Sequence, residues 1–190
     1  MLGFLQSNVS DESLMLKYQQ GDSAAFEKLY HRHKNSLYAY LYRSHVDLNV
    51  IEEIAQETWM AVINSARNYR DSAKFRTYLY AIAHRKLVDF WRRNKLDQLV
   101  DRVDEQGEQL IEKIAEPKKH TEDSIDLAMD LLLALESLSK DQQQAFLLRE
   151  EGFSRKEIAI MTGSNEETIK SRIRYATGNL KHILEVQYAE

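Results

Sequence analysis

The chain contains no cysteine, which excludes a disulfide framework, a thiolate zinc site and a thiol nucleophile. That absence suits a reducing compartment. One proline and six glycines among 190 residues leave little to interrupt regular backbone. No apolar run approaches the ~18–20 residues of a membrane span. The N-terminal MLGFLQSNVS has neither the basic start nor the apolar stretch of a signal peptide. A cytoplasmic protein without a span of its own is expected.

Enzymatic signatures are also missing. There is no phosphate loop, no HExxH and no nucleophile elbow. His31 and His33 are two apart on an expected helix, so they diverge by roughly 200° and cannot share a metal. The adjacent acids Glu52-Glu53 and Glu150-Glu151 read as solvated helix faces. The expectation is no enzyme, no cofactor and no metal.

What is present is helical spacing. Phe26, Leu29, Tyr30, Leu37 and Leu41 recur at intervals of three, four and seven. Ile51, Ile54, Ala55, Thr58 and Val62 do the same, as do Ile169, Ile173, Ala176, Leu180 and Ile183. Ser10-Asp11, Asp22-Ser23 and Ser154 with Glu157 three residues on supply helix starts, the last as a capping box. Strand-like alternation is scarce, so the fold class is all-α. At 43% hydrophobic content the chain can build one medium core or two small ones. Residues 97–123 are acidic, poor in aromatics and contain Pro117. They read as a flexible acidic linker, with a transient helix at 108–115, between small helical domains at 1–96 and 124–190.

The net charge of −4 argues against a polyanionic partner only on average. Residues 84–95 carry a net +4, residues 97–126 a net −6, and residues 165–182 a net +2. Binding follows the local patch, so nucleic acid remains in play.

The C-terminal patch sits on a hinge. In SRKEIAIMTGSNEETIKSRIRYA, Ser154 to Met161 form a short helix and Gly163 supplies a left-handed corner. Glu166 opens a second helix with Ile169, Ile173 and Ala176 inward and Thr168, Lys170, Ser171, Arg172 and Arg174 outward. This is helix-turn-helix geometry, whose second helix fits a major groove. A plain helical hairpin with a charged face has the same spacing. Arg172 and Arg174 diverge by about 200°, so one faces bases and the other phosphate. Arg174, one turn on from Lys170 and Ser171, is assigned to bases.

The N-terminal half carries the discriminating composition. IEEIAQETWMAV (51–62) puts Glu52, Glu53, Gln56 and Glu57 on the polar side of a helix. NYRDSAKFRTYLYAIAHRKLVDFWRRNK (68–95) interleaves Phe75, Tyr78, Tyr80, Phe90 and Trp91 with the +4 patch. Aromatics beside cations suit unstacked bases and their backbone, although Tyr78, Phe90 and Trp91 fit a core better.

Taken in order, these segments resemble the bacterial RNA polymerase sigma factors of the extracytoplasmic-function (ECF) class. IEEIAQETW is similar to the domain-two helix that binds the polymerase clamp helices. KFRTYLYAIAHRKLVDFWRR is similar to the −10 recognition and melting segment. LESLSKDQQQAFLLREEGFSRKEIAIMTGSNEETIKSRIRYA is similar to domain four, which reads the −35 element. The resemblance implies polymerase contacts at Glu53, Gln56 and Glu57. It implies capture of an extruded base at the loop Tyr69, Arg70, Asp71, Ser72 and Lys74. Arg76, His84, Arg85 and Lys86 would line the strand path, and Thr168, Lys170, Ser171, Arg172, Arg174 and Tyr175 the −35 face. Core RNA polymerase, promoter DNA and an anti-sigma factor are the implied partners. Tyr175 and Thr177 stand where the family often has Arg. Ala81 and Ile82 replace the paired tryptophans of housekeeping members, which implies weaker melting and stricter promoter choice. The alternative is a stand-alone helix-turn-helix regulator with a sensing or dimerising N-terminal domain, for which a single-strand surface would have no use.

Overall fold

The helices that start at Asp11, Ser23, Leu48, Lys140 and Arg155 each begin where a side chain satisfies an unpaired N–H group of the first turn. The structure is a computed structural model and describes residues 9–44, 47–71, 73–104 and 131–187. Ser10 caps α1 (Asp11–Gln19) through the Ser13 N–H, and Asp22 caps α2 (Ser23–Arg43) through Ala25. Asp47 caps α3 (Leu48–Ser65), which ends in a 3₁₀ turn, Ala66–Asn68. The long α4 (Phe75–Asp104) follows. Residues 131–136 form the described part of α5. Then come α6 (Lys140–Glu150), α7 (Arg155–Thr162) and α8 (Glu166–Gln187). No strand occurs among the described residues.

The caps anticipated at Ser10, Asp22 and Ser154 are in place, and Ser154 and Glu157 make a reciprocal capping box. Ser139 and Gln142 make a second one at the start of α6. Gly163 closes α7 at φ 63° and ψ 29°, the left-handed corner of the hinge.

Two differences from the sequence reading concern the expected boundary. Helix α4 continues past residue 96 to Asp104, into the segment read as linker. The acidity of that stretch masked a helical apolar row, Leu96, Leu99, Val100 and Val103. The helix expected at 108–115 and Pro117 lie outside the described residues. Second, the two helical domains pack against each other. One cluster runs from Leu14, Leu37, Tyr40, Phe75 and Tyr80 through to Leu147, Phe153, Ile158 and Ile169. Tyr40 and Tyr80 are fully buried with ring centroids 5.2 Å apart, and Tyr80 meets Phe153 edge-on at 4.9 Å. Aromatic contacts of this kind contribute about 0.5–1.5 kcal/mol beyond area burial.

Candidate nucleic-acid interface

Helix α3 buries Ile51, Ile54, Ala55, Thr58 and Val62 and leaves Glu52, Glu53, Gln56 and Met60 exposed on the opposite side. Glu57 lies at the edge of that face, only partly exposed, and its carboxylate pairs with Lys86 of α4 at 2.8 Å. A candidate polymerase contact and a candidate strand contact thus already touch each other.

The loop between the 3₁₀ turn and α4 is pinned at both ends by α1. Gln19 Nε2 donates to the carbonyls of Ala66 (2.6 Å) and Tyr69 (2.8 Å). Glu12 accepts the Phe75 N–H at 2.9 Å, which caps α4 and places a negative charge at its N-terminus. Neither residue was singled out by sequence reasoning, because each acts on a segment about fifty residues or more away. Within the loop, Arg70, Asp71 and Lys74 are exposed, and Ser72 lies outside the described residues.

Tyr69 is not a free loop aromatic. Its ring is 7% exposed and packs against Tyr78 (5.3 Å) and Phe75 (6.3 Å). Burial, reinforced by the nearby Glu12 charge, pushes its phenol up to about 12. The backbone around it walls one hollow with Ser65, Asn68, Arg70, Ala73 and Tyr78. An adjoining hollow is walled by Ala61, Asn64, Ser65, Asn68, Tyr78, Ile82, Arg85 and Lys86. Ser65 and Tyr78 hydroxyls are hydrogen-bonded at the shared wall. A concave surface with amide, hydroxyl and cationic groups at its rim can take a base edge and its phosphate.

The strand-path candidates on α4 divide. Arg85 is exposed and Lys86 half-buried. Arg76 turns away into the contact with the C-terminal half, as does His84, which is 9% exposed. Burial holds the His84 imidazole below its usual range and the neighbouring Arg172 charge adds to this, while a hydrogen bond with Gln144 and the Asp141 charge oppose it. His31 and His33 are separated as their spacing requires: His31 is exposed near Glu27, and His33 is buried on Asp11 at 2.7 Å. No cluster of three or more metal-ligating side chains occurs among the described residues.

On the hinge, Asn165 accepts the Thr168 N–H at 2.8 Å and starts α8. Ile169, Ala176 and Leu180 are buried, and Ile173 is partly so. Lys170, Arg174 and Tyr175 are exposed, with the Arg174 guanidinium 5.0 Å from the Tyr175 ring. Thr168, Ser171 and Arg172 are partly exposed. Arg172 reaches back to donate to Ser164 Oγ (2.9 Å) and to pair with Asp141 at the start of α6. It braces the hinge as well as edging its outer face.

Two family descriptions match this chain. Sigma-70 region 2 matches residues 29–96, and Sigma-70, region 4 matches residues 128–176. Together they cover more than half of the chain. The ECF RNA polymerase sigma factor SigL of Mycobacterium tuberculosis is 27% identical over 86% of this chain and 91% of its own length. RNA polymerase sigma factor YlaC of Bacillus subtilis is 26% identical over 83% of this chain and 90% of its own. In fold, the chain is similar to CnrH, solved with the cytosolic domain of CnrY. The TM-score is 0.70 at 19% identity, over 94% of this chain and 99% of that one. It is also similar to RpoE of Bartonella quintana, solved with the anti-sigma factor NepR. There the TM-score is 0.67 at 22% identity, over 85% and 97%. An N-terminal half that matches region 2 does not favour the stand-alone regulator. With regions 2 and 4 matched in order on an all-helical fold, the chain belongs to the ECF class of RNA polymerase sigma factors and directs transcription initiation.

Proposed function

We propose that this sigma factor engages core RNA polymerase through Glu53, Gln56 and Glu57 on α3. It captures an extruded −10 base at the hollows beside the 69–74 loop, with Arg85 and Lys86 along the strand, whereas Arg76 and His84 are held in the contact with the C-terminal half. It reads the −35 major groove with Lys170, Ser171 and Arg174 of α8, flanked by Thr168, Arg172 and Tyr175. Residues 1–96 and 124–190 are the two functional units.

The observation that carries this reading is the sorting of faces. Acidic and amide groups crowd the exposed side of α3, while exposed cations occupy α8 opposite its buried stripe. Carboxylates suit a basic protein groove, and guanidinium and ammonium groups suit base edges and phosphates. Sigma factors in general act by binding DNA and polymerase, and we assign this chain no reaction of its own. No helix among the described residues is long and apolar enough to cross a membrane, which fits the cytoplasm where polymerase acts. CnrH and RpoE were solved with CnrY and NepR, and an anti-sigma partner is proposed here by that likeness.

Footprinting of the reconstituted holoenzyme on genomic fragments tests the assignment. Paired protection near −35 and −10 is expected. Protection by the sigma factor alone at one palindromic site would sink it.

A further inference from the structure

Helix α1 is short and buries only Leu14 and Met15, yet its polar side chains are committed to other elements. Asp11 fastens it to α2, pairing with Arg32 and with His33, each at 2.7 Å. The His33 ring lies in turn 5.4 Å from that of Phe75, the first residue of α4. Glu12 accepts the Phe75 N–H, and at the far end of α1 Gln19 holds the 3₁₀ turn. The helix is a strut, with its base fixed on α2 and two grips on the loop that joins α3 to α4.

The grip of Gln19 has a specific form. A side-chain amide carries two N–H donors, and here one nitrogen spans the turn, reaching the Ala66 carbonyl at 2.6 Å and that of Tyr69 at 2.8 Å. The Ala66 carbonyl also accepts the Tyr69 N–H at 3.1 Å, which closes the turn. Between the two gripped carbonyls lie Arg67 and Asn68, both exposed, and Asn68 lines both hollows. Neither Gln19 nor Glu12 lines either hollow.

We propose that Gln19 and Glu12 are positioning residues for base capture. From outside the hollows they hold the two ends of the loop, at 66–69 and at 75, in the shape that capture requires before any strand arrives. The inference rests on the capture reading given above and adds to it the residues that prepare the loop. A free loop samples many backbone states, and ordering it during binding opposes capture. Side chains fixed on a rigid helix remove that opposition in advance. Glu12 also sets a negative charge at the N-terminus of α4, where the helix dipole favours it. Apparent affinity scales with the competent fraction, so a loop correctly shaped one-tenth of the time binds a strand about tenfold more weakly.

The test separates positioning from plain stabilisation. Holoenzyme reconstituted with core RNA polymerase is titrated with the single-stranded non-template −10 segment of a footprinted promoter. The strand is used intact and with one abasic site placed at each position in turn. In the parent, one position should stand out, where loss of the base weakens binding about tenfold or more. Gln19→Leu keeps the bulk and removes both donors. It should bind the intact strand about tenfold more weakly and that abasic strand as the parent does, so the ratio between the two falls towards one. Affinity for core polymerase and for the −35 duplex should stay within about twofold of the parent, since neither contact uses the loop. Glu12→Ala should act in the same direction. Glu12→Gln keeps an acceptor for the Phe75 N–H and should restore most of the ratio, and this pair carries the test should Gln19→Leu fail to fold. A parental ratio in Gln19→Leu and Glu12→Ala overturns the proposal, as does an equal loss on intact and abasic strands. If no abasic position matters in the parent, the capture reading itself fails and takes this inference with it, a result seen before any variant is made.

Discussion

The Arg76 guanidinium lies 4.5 Å from the centre of the Phe153 ring, and the two residues belong to different matched regions of the chain. Phe153 is 3% exposed and follows the positive-φ Gly152 that ends α6. It packs on Tyr80 with one edge and under Arg76 with its face. Truncating it removes a core ring and a cation–π partner together, so Phe153→Ala should cost about 3–5 kcal/mol. Because the ring bridges two halves, urea unfolding should also lose coincidence between probes. Fluorescence from Trp59 and Trp91, both in the N-terminal half, should separate from the circular dichroism of the whole. A single shifted but coincident transition would show that the two halves stay cooperatively coupled without the ring.

At the polymerase face, Glu53 is the cleaner probe because Glu57 already holds Lys86. Glu53→Lys should set like charges together in the proposed complex, at a cost of several kcal/mol in affinity for core polymerase. Stability should change by less than about 0.5 kcal/mol, as for most exposed surface substitutions. Fluorescence titration of core polymerase measures the first quantity and thermal unfolding the second. Undiminished affinity would take α3 out of the interface.

The two arginines of α8 should differ in kind. Arg174→Ala should cost about 1–3 kcal/mol at the promoter and relax preference at one −35 position. Folding should be left alone, since the side chain is exposed. Arg172→Ala should weaken all promoters alike and lower the salt slope by about one. It should also lower stability by up to about 1 kcal/mol, because its links to Asp141 and Ser164 brace the hinge at a partly exposed site. Transcription from a library of −35 variants separates these outcomes, and an exchange of the two phenotypes would mean α8 docks in a different phase.

Acidification should destabilise the folded chain through His84. Burial lowers its folded-state pKa below the usual ~6.5, so neutral imidazole is favoured when folded. The resulting stability is complete above that unfolded value. It is lost as the pH falls from there through the lower folded value, where both states are protonated. The urea midpoint of the parent chain should drop on this descent more steeply than that of His84→Gln. Parallel slopes would assign the acid sensitivity to other groups.

What could be read from the sequence follows the range of the forces involved. The caps at Ser10, Asp22 and Ser154, the Gly163 corner and the buried stripe of α8 depend on neighbours three or four residues away, so spacing alone revealed them. The end of α4 escaped because a run of acids outweighed its apolar periodicity. The placements of Tyr69, Arg76, His84 and Arg172 depend on partners in other helices. A cation bound for phosphate and a cation bound for a distant Glu look the same in sequence. Glu12 and Gln19 were passed over for the same reason: a polar side chain on a short first helix carries no mark that it will hold a loop far along the chain.

The ion pair between Glu57 and Lys86 has a bearing on the order of events at a promoter. One carboxylate cannot serve a basic groove on polymerase and the α4 ammonium equally well. A lysine neutralised by its own chain contributes little to counterion release on a nucleic acid. Whatever draws Glu57 outward therefore hands a full positive charge back to Lys86, on the proposed strand path one helix away. Under the proposed roles of these two residues, docking would come before strand capture and would arm the surface for it.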